Sequence, residues 1–195
     1  MLGEYLHNFT LAFIPVFVAM DPVGIIPIYM SFTDGLLSSQ KKRATVEALL
    51  SGGIFAFLFL FVGRGFFKVL GITANDFKVA GGLLLLVLSV QDILSAEKEQ
   101  RKPNAEAGIV PLGIPLIVGP AVLTTELMLL DIYGVAITTL ALFANLLVCA
   151  IAFVFSESIR NLFGKNGIRA ISKIVALLLS AMAVMMIRNG LMGFI

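Results

Sequence analysis

Apolar stretches of about 20 residues, the length a helix needs to cross a bilayer core, recur about six times along this chain, parted by short polar patches. They predict helices over about 9–32, 44–69, 77–95, 109–130, 134–159 and 170–190. The fold class expected is therefore an all-α membrane protein of about six transmembrane helices. The first stretch begins too late, and lacks the short apolar core and small-residue cleavage pattern of a secretory signal, so it is read as a retained span.

Two of the stretches are interrupted where a plain membrane anchor would carry Leu and Val. Met20-Asp-Pro-Val-Gly-Ile-Ile-Pro27 puts a carboxylate, two prolines and a glycine in the middle of the first. Pro111-Leu-Gly-Ile-Pro115-Leu-Ile-Val-Gly119-Pro120 is a second proline-and-glycine knot, early in the fourth and without a carboxylate. Proline lacks the amide proton that a helix interior uses and disfavours helical geometry at the residue before it, so both runs predict broken helices. One broken helix in each half is a transporter feature.

Composition agrees with a membrane solvent. The chain has 195 residues, 59% of them hydrophobic and 13% charged; soluble domains are about 45–50% apolar. Its one cysteine, Cys149, has no intramolecular partner and reads as a core filler, and its one histidine, His7, leaves no material for a histidine metal site. No His-Glu-x-x-His, Gly-x-Ser-x-Gly or phosphate-binding glycine loop is present, so an enzyme is not expected and no cofactor is implied. A formal net charge of +2 gives no reason to expect a nucleic-acid partner.

The positions of the cations say more than their sum. Lys41, Lys42 and Arg43 follow the first helix, Lys98, Arg101 and Lys102 the third, and Arg160, Lys165 and Arg169 the fifth. Short loops rich in Lys and Arg stay in the cytoplasm, so the chain is expected in the cell (inner) membrane, multi-pass, with both termini on the non-cytoplasmic side.

The halves resemble one another. Val69-Leu-Gly-Ile-Thr-Ala-Asn-Asp-Phe-Lys78-Val-Ala-Gly-Gly leads into helix three much as Leu162-Phe-Gly-Lys-Asn-Gly-Ile-Arg169-Ala-Ile-Ser leads into helix six. Three crossings separate the copies, so the duplication predicts two inverted three-helix repeats, about 9–95 and 109–195, in a single transmembrane domain. The mixed-charge stretch over about 96–108 reads as a solvated cytoplasmic linker between them.

At the first break, Asp21 is a good N-cap and Pro22 a good first residue for a new half-helix; Gly24 and Pro27 extend the irregularity by one turn, and Val23 joins Asp21, Pro22 and Gly24 as a candidate binding residue. A charge at this depth costs about 2.5–3.5 kcal/mol, which raises a role for Asp21 in substrate or proton handling beside the purely structural one. At the second break, Val118 and Gly119 precede Pro120 at a helix start, and the next turns offer Thr124, Thr125 and Glu126. A helix that starts inside the membrane leaves free N–H groups and a positive dipole end, suited to a carboxylate. Backbone donors at one break and Asp21 or freed carbonyls at the other make opposite halves of a receptor for a zwitterion. Elsewhere, Asn145 is expected to bond between helices, and Gly52, Gly53, Gly81 and Gly82 to allow close packing.

In these residues the chain resembles the MarC family of six-span integral membrane proteins, whose members include a transporter of small neutral amino acids. The resemblance rests on Met20–Pro27, on Gly71-Ile72 with Lys78-Val-Ala-Gly-Gly82, on Val110–Pro115 with Gly119-Pro120, on Gly164–Ser172 and on Asn189-Gly190, and runs over nearly the full length. Ala121 departs from it, standing where the family often has a further glycine. The resemblance implies a transporter fold with broken first and fourth helices that hold the ligand, and a substrate such as glycine, alanine or serine. Alternating access of one half against the other would then carry the substrate. A gated pore or an exporter for other small solutes is the alternative, and a scaffold without ligand is a third. Proton or sodium coupling, and assembly as a homo-oligomer in the lipid bilayer, stay open.

Overall fold

The computed structural model describes residues 2–33, 35–94 and 108–193, so the expected linker, with Lys98, Arg101 and Lys102, falls outside the described residues. Within them the protein is helical throughout, with five stretches long and apolar enough to cross a membrane. Four helices come first: α1 (Leu2–Met20), α2 (Pro22–Thr33), α3 (Ser38–Leu70) and α4 (Ala74–Leu94). A wide-turned segment, Gly108–Ile117, is followed by the helical run Pro120–Met192. That run leaves helical geometry at Gly134 and Gly164, dividing into α5 (120–133), α6 (135–163) and α7 (165–192).

The helices are longer than the apolar pattern predicts. α1 starts at Leu2 rather than near residue 9, α3 at Ser38 rather than near 44, and most of the polar stretch 160–169 is helix instead of loop. Hydropathy marks only the part of a helix that must lie in hydrocarbon, whereas backbone hydrogen bonding carries the helix on into water. At the start of α3 the Gln40 side chain accepts the Leu37 amide at 3.0 Å, which stabilises a turn the apolar run does not reach. Gly134 at φ 77° and Gly164 at φ 64° adopt a left-handed conformation closed to most residues, so single positions suffice as turns.

Small residues set how closely the elements approach. Ala44, Ala48 and Gly52 recur every four residues on the buried face of α3, and the Gly108–Ile117 segment lies against them. A Cβ at Gly108 would sit 2.7 Å from the Ala44 carbonyl oxygen, and one at Gly113 would sit 2.8 Å from that of Ala48. Without a hydrophobic drive between helices in lipid, such close backbone packing is a main source of cohesion. α4 pairs with α7 in the same way: a Cβ at Gly82 would meet the Ala183 carbonyl at 2.8 Å, and Asn75 Nδ2 donates to the Gly193 carbonyl at 2.8 Å.

One buried cluster runs through the middle of the bundle. It includes Val16 and Met20 of α1, Ile25 and Tyr29 of α2, Ile117 and Val118 before the second break, Val122 and Leu123 of α5, and Leu142 and Cys149 of α6. Tyr29 joins three elements, stacking on Phe153 at 4.2 Å between ring centroids while its hydroxyl bonds Thr45 Oγ1 at 2.8 Å. The large apolar side chains left outside, such as Leu58, Leu84, Leu147 and Leu178, form the faces expected to meet lipid acyl chains.

Candidate functional site

The first break is a single residue wide. Asp21 completes α1 by donating its amide to the Phe17 carbonyl at 2.9 Å, then turns the chain at φ 46°. Its own carbonyl accepts the Ile25 amide at 3.1 Å, and its Oδ1 accepts the Gly24 amide at 3.0 Å. Asp21 is therefore the N-cap of α2, as its place before Pro22 predicts. Gly24 is needed beneath it, because any Cβ there would overlap the Asp21 carboxyl group. Asp21 is half-buried, Pro22 and Gly24 are buried, and Val23 turns away from the interior with its side chain 66% exposed.

The second break differs in its chemistry. The Gly108–Ile117 segment departs from helical geometry at Val110 and Ile114 and contains a cis bond between Ile114 and Pro115. It closes with a wide turn, the Val118 amide donating to the Gly113 carbonyl at 3.1 Å. Gly119 is extended at φ −99°, ψ 178°, and Pro120 opens α5 with no side-chain cap. The first intrahelical bond to Gly119 comes from the Leu123 amide at 3.1 Å, so the Ala121 and Val122 amides precede the ladder. Where Asp21 caps one break, the other presents a bare helix start between the buried residues Val118 and Val122.

Of the two threonines beyond it, Thr124 turns its hydroxyl back on the helix, donating to the Pro120 carbonyl at 2.9 Å, and Thr125 is half-buried. The outstanding residue of α5 is instead Glu126. It is 0% exposed, and neither carboxyl oxygen has a hydrogen-bond partner. It follows Val122 by four positions and Gly119 by seven, placing it on the same helical stripe as the break. The sequence names Glu126 without separating it from its polar neighbours. The signal that singles it out is its spacing: it falls on the face carrying buried Val122, Leu123 and Leu129.

Met20, Ile25, Val118 and Val122 belong to the same buried cluster, which brings the surroundings of the two breaks into one interior. Asn145 joins them to α6: its Nδ2 donates to the Phe13 carbonyl of α1 at 3.2 Å and to the Ala141 carbonyl at 2.9 Å. That is the interhelical bond expected of it, and its Oδ1 is left without a partner. Arg64 of α3 donates to the Leu127 carbonyl of α5 at 3.0 Å and pairs with Asp131 at an exposed position. Among the described residues, no group of three or more His, Cys, Asp and Glu side chains is arranged to hold a metal ion.

This geometry defines a multi-pass helical membrane protein with two discontinuous helices whose breaks share a buried interior. The chain belongs to the MarC family of integral membrane proteins, whose model matches residues 6–195. It is 32% identical to a UPF0056 membrane protein of Methanocaldococcus jannaschii, over 97% of this chain and 89% of that one. A UPF0056 membrane protein of Pyrococcus abyssi is 28% identical, with 97% of each chain covered. UPF0056 membrane protein YhcE of Escherichia coli is also 28% identical, over 93% of this chain and 90% of its own length. No solved structure matches the chain.

Proposed function

We propose that this protein transports small neutral amino acids, such as glycine, alanine and serine, across the cell membrane by alternating access. The observation that carries the reading is the contrast between the breaks: α2 is capped by Asp21, whereas α5 starts uncapped in a buried apolar setting. The free amides and positive end of α5 suit an α-carboxylate. The second oxygen of Asp21 and the carbonyls ending α1 suit an α-ammonium. Buried Met20, Ile25, Val118 and Val122 leave no charged partner for a substrate side chain, which favours substrates with small uncharged ones.

Movement of one three-helix half against the other is the mechanism in this reading. It is supported by left-handed glycines at corresponding turns, Gly35 with Gly134 and Gly71 with Gly164, and by proline-led breaks at Pro22 and Pro120. An inverted repeat of this kind places the two half-helix starts head to head near the midplane. With the cationic loops inside, both termini face outward.

The test is a panel of amino acids offered to the detergent-solubilised protein, followed by radiolabelled glycine flux in proteoliposomes. Thermal stabilisation by glycine, alanine or serine together with saturable counterflow is the expected result. Single-channel currents without counterflow would instead identify a gated pore.

A further inference from the structure

We propose that Glu126 is the group that couples transport to a proton: its carboxyl is protonated while the bundle is closed and releases the proton once that face opens to water. The assignment rests on the transport reading above and adds the coupling ion and its carrier.

Glu126 is sealed from solvent with both oxygens unpartnered. A fold does not retain an isolated carboxylate in hydrocarbon without a use, and the neutral acid is far less disfavoured there than the anion. The charged groups on the elements around α5 make no bond to Glu126. Arg64 of α3 is held by the Leu127 carbonyl and Asp131 on α5 itself. Lys78 of α4 lies one turn before Gly81, where that helix meets Pro120, and Arg188 of α7 is exposed. Asp21 caps α2 through the Gly24 amide. None of these charged groups bonds Glu126, whose two carboxyl oxygens are buried without a partner.

The position suits coupling. Helix side chains lean toward the N-terminus, so the Glu126 carboxyl extends over the Val122–Leu123 turn toward the bare start of α5. Opening the bundle to admit a substrate at that start would wet the same stripe. A sodium ion would need several oxygen ligands. The other buried side-chain oxygens left without partners among the described residues are only Thr139 Oγ1 and Asn145 Oδ1. The step balances simply: a proton from water on one side binds a carboxylate oxygen, the closed acid crosses with the substrate, and the proton passes to water on the other side.

The experiment compares wild type, E126Q and E126D in proteoliposomes, with thermal unfolding in detergent confirming that each variant is folded. For one proton per glycine, a one-unit pH gradient supports about tenfold accumulation in the wild type. E126Q is expected to lose gradient-driven accumulation and E126D to regain part of it. Infrared difference spectra across a pH titration should show a protonated-carboxyl band that E126Q lacks. An E126Q protein with the wild-type response to the gradient, or with an unchanged carboxyl band, overturns the role of Glu126 alone. A wild-type protein that moves no glycine overturns the transport reading, and the coupling role with it.

Discussion

The ring of Pro120 occupies the space that a side chain at Gly81 would need, so α4 meets α5 at the level of the second helix break. A proline ring cannot rotate aside as a flexible side chain can. Gly81→Ala should therefore push α4 from α5 and destabilise the protein by about 1–3 kcal/mol, the usual range for overpacking a close contact. Thermal unfolding in detergent measures this, and an unchanged midpoint would show that the two helices do not pack as described.

Asp21 joins a structural and a proposed ligand role, and two substitutions separate them. Asn caps helices as well as Asp and tolerates a left-handed backbone, so Asp21→Asn should stay within about 0.5 kcal/mol of wild-type stability. If its charge meets the substrate ammonium, the same variant should weaken glycine binding by about tenfold or more, the range of a charge-assisted hydrogen bond. Asp21→Ala loses the cap as well and should unfold about 1–2 kcal/mol more easily. Titration calorimetry and thermal unfolding of the pair resolve the two contributions; unaltered binding in Asp21→Asn leaves the cap as its whole role.

Asn145 ties α6 to α1 through the Phe13 carbonyl. Side-chain hydrogen bonds between membrane helices contribute about 0.6–1.7 kcal/mol, so Asn145→Ala should cost at least that, with a further loss from the vacated volume. Unfolding in mixed micelles of rising denaturing-detergent content reads the loss.

Tyr29 offers a cleaner division of polar and apolar contributions. Tyr29→Phe removes the bond to Thr45 but keeps the ring on Phe153, and should cost about 0.5–1.5 kcal/mol. Tyr29→Ala removes both and should cost about 3–5 kcal/mol. Thr45→Val added to Tyr29→Phe should cost less than the sum of the two, since both delete the bond between the hydroxyls, while Thr45→Val alone also loses the Thr45 donation to the Lys41 carbonyl. Full additivity would mean that the hydroxyls do not bond each other.

Much of the chain's plan is legible in its residues. The apolar runs identify a membrane protein and locate its crossings, and Pro22 and Pro120 locate the breaks, because proline's missing donor acts within one turn of its own position. Gly71 and Gly164, the turn glycines that lead into helices three and six, both adopt left-handed geometry. Helix ends were legible only to within several residues, because the backbone bonding that prolongs a helix into water leaves no mark in hydropathy.

The solvent, the helical character of the chain and the places where helices must break are written in the residues, since each follows from properties a residue carries locally: its transfer free energy, its amide proton, its allowed φ. Which polar groups are sealed in is set by the packing of the helices. Thr124, Thr125 and Glu126 stand side by side in the sequence, yet the packing of α5 leaves Thr124 bonded to its own helix and Glu126 buried without a partner. Burial and hydrogen-bond satisfaction depend on what neighbouring helices bring to a face, and those helices arrive from residues far away along the chain.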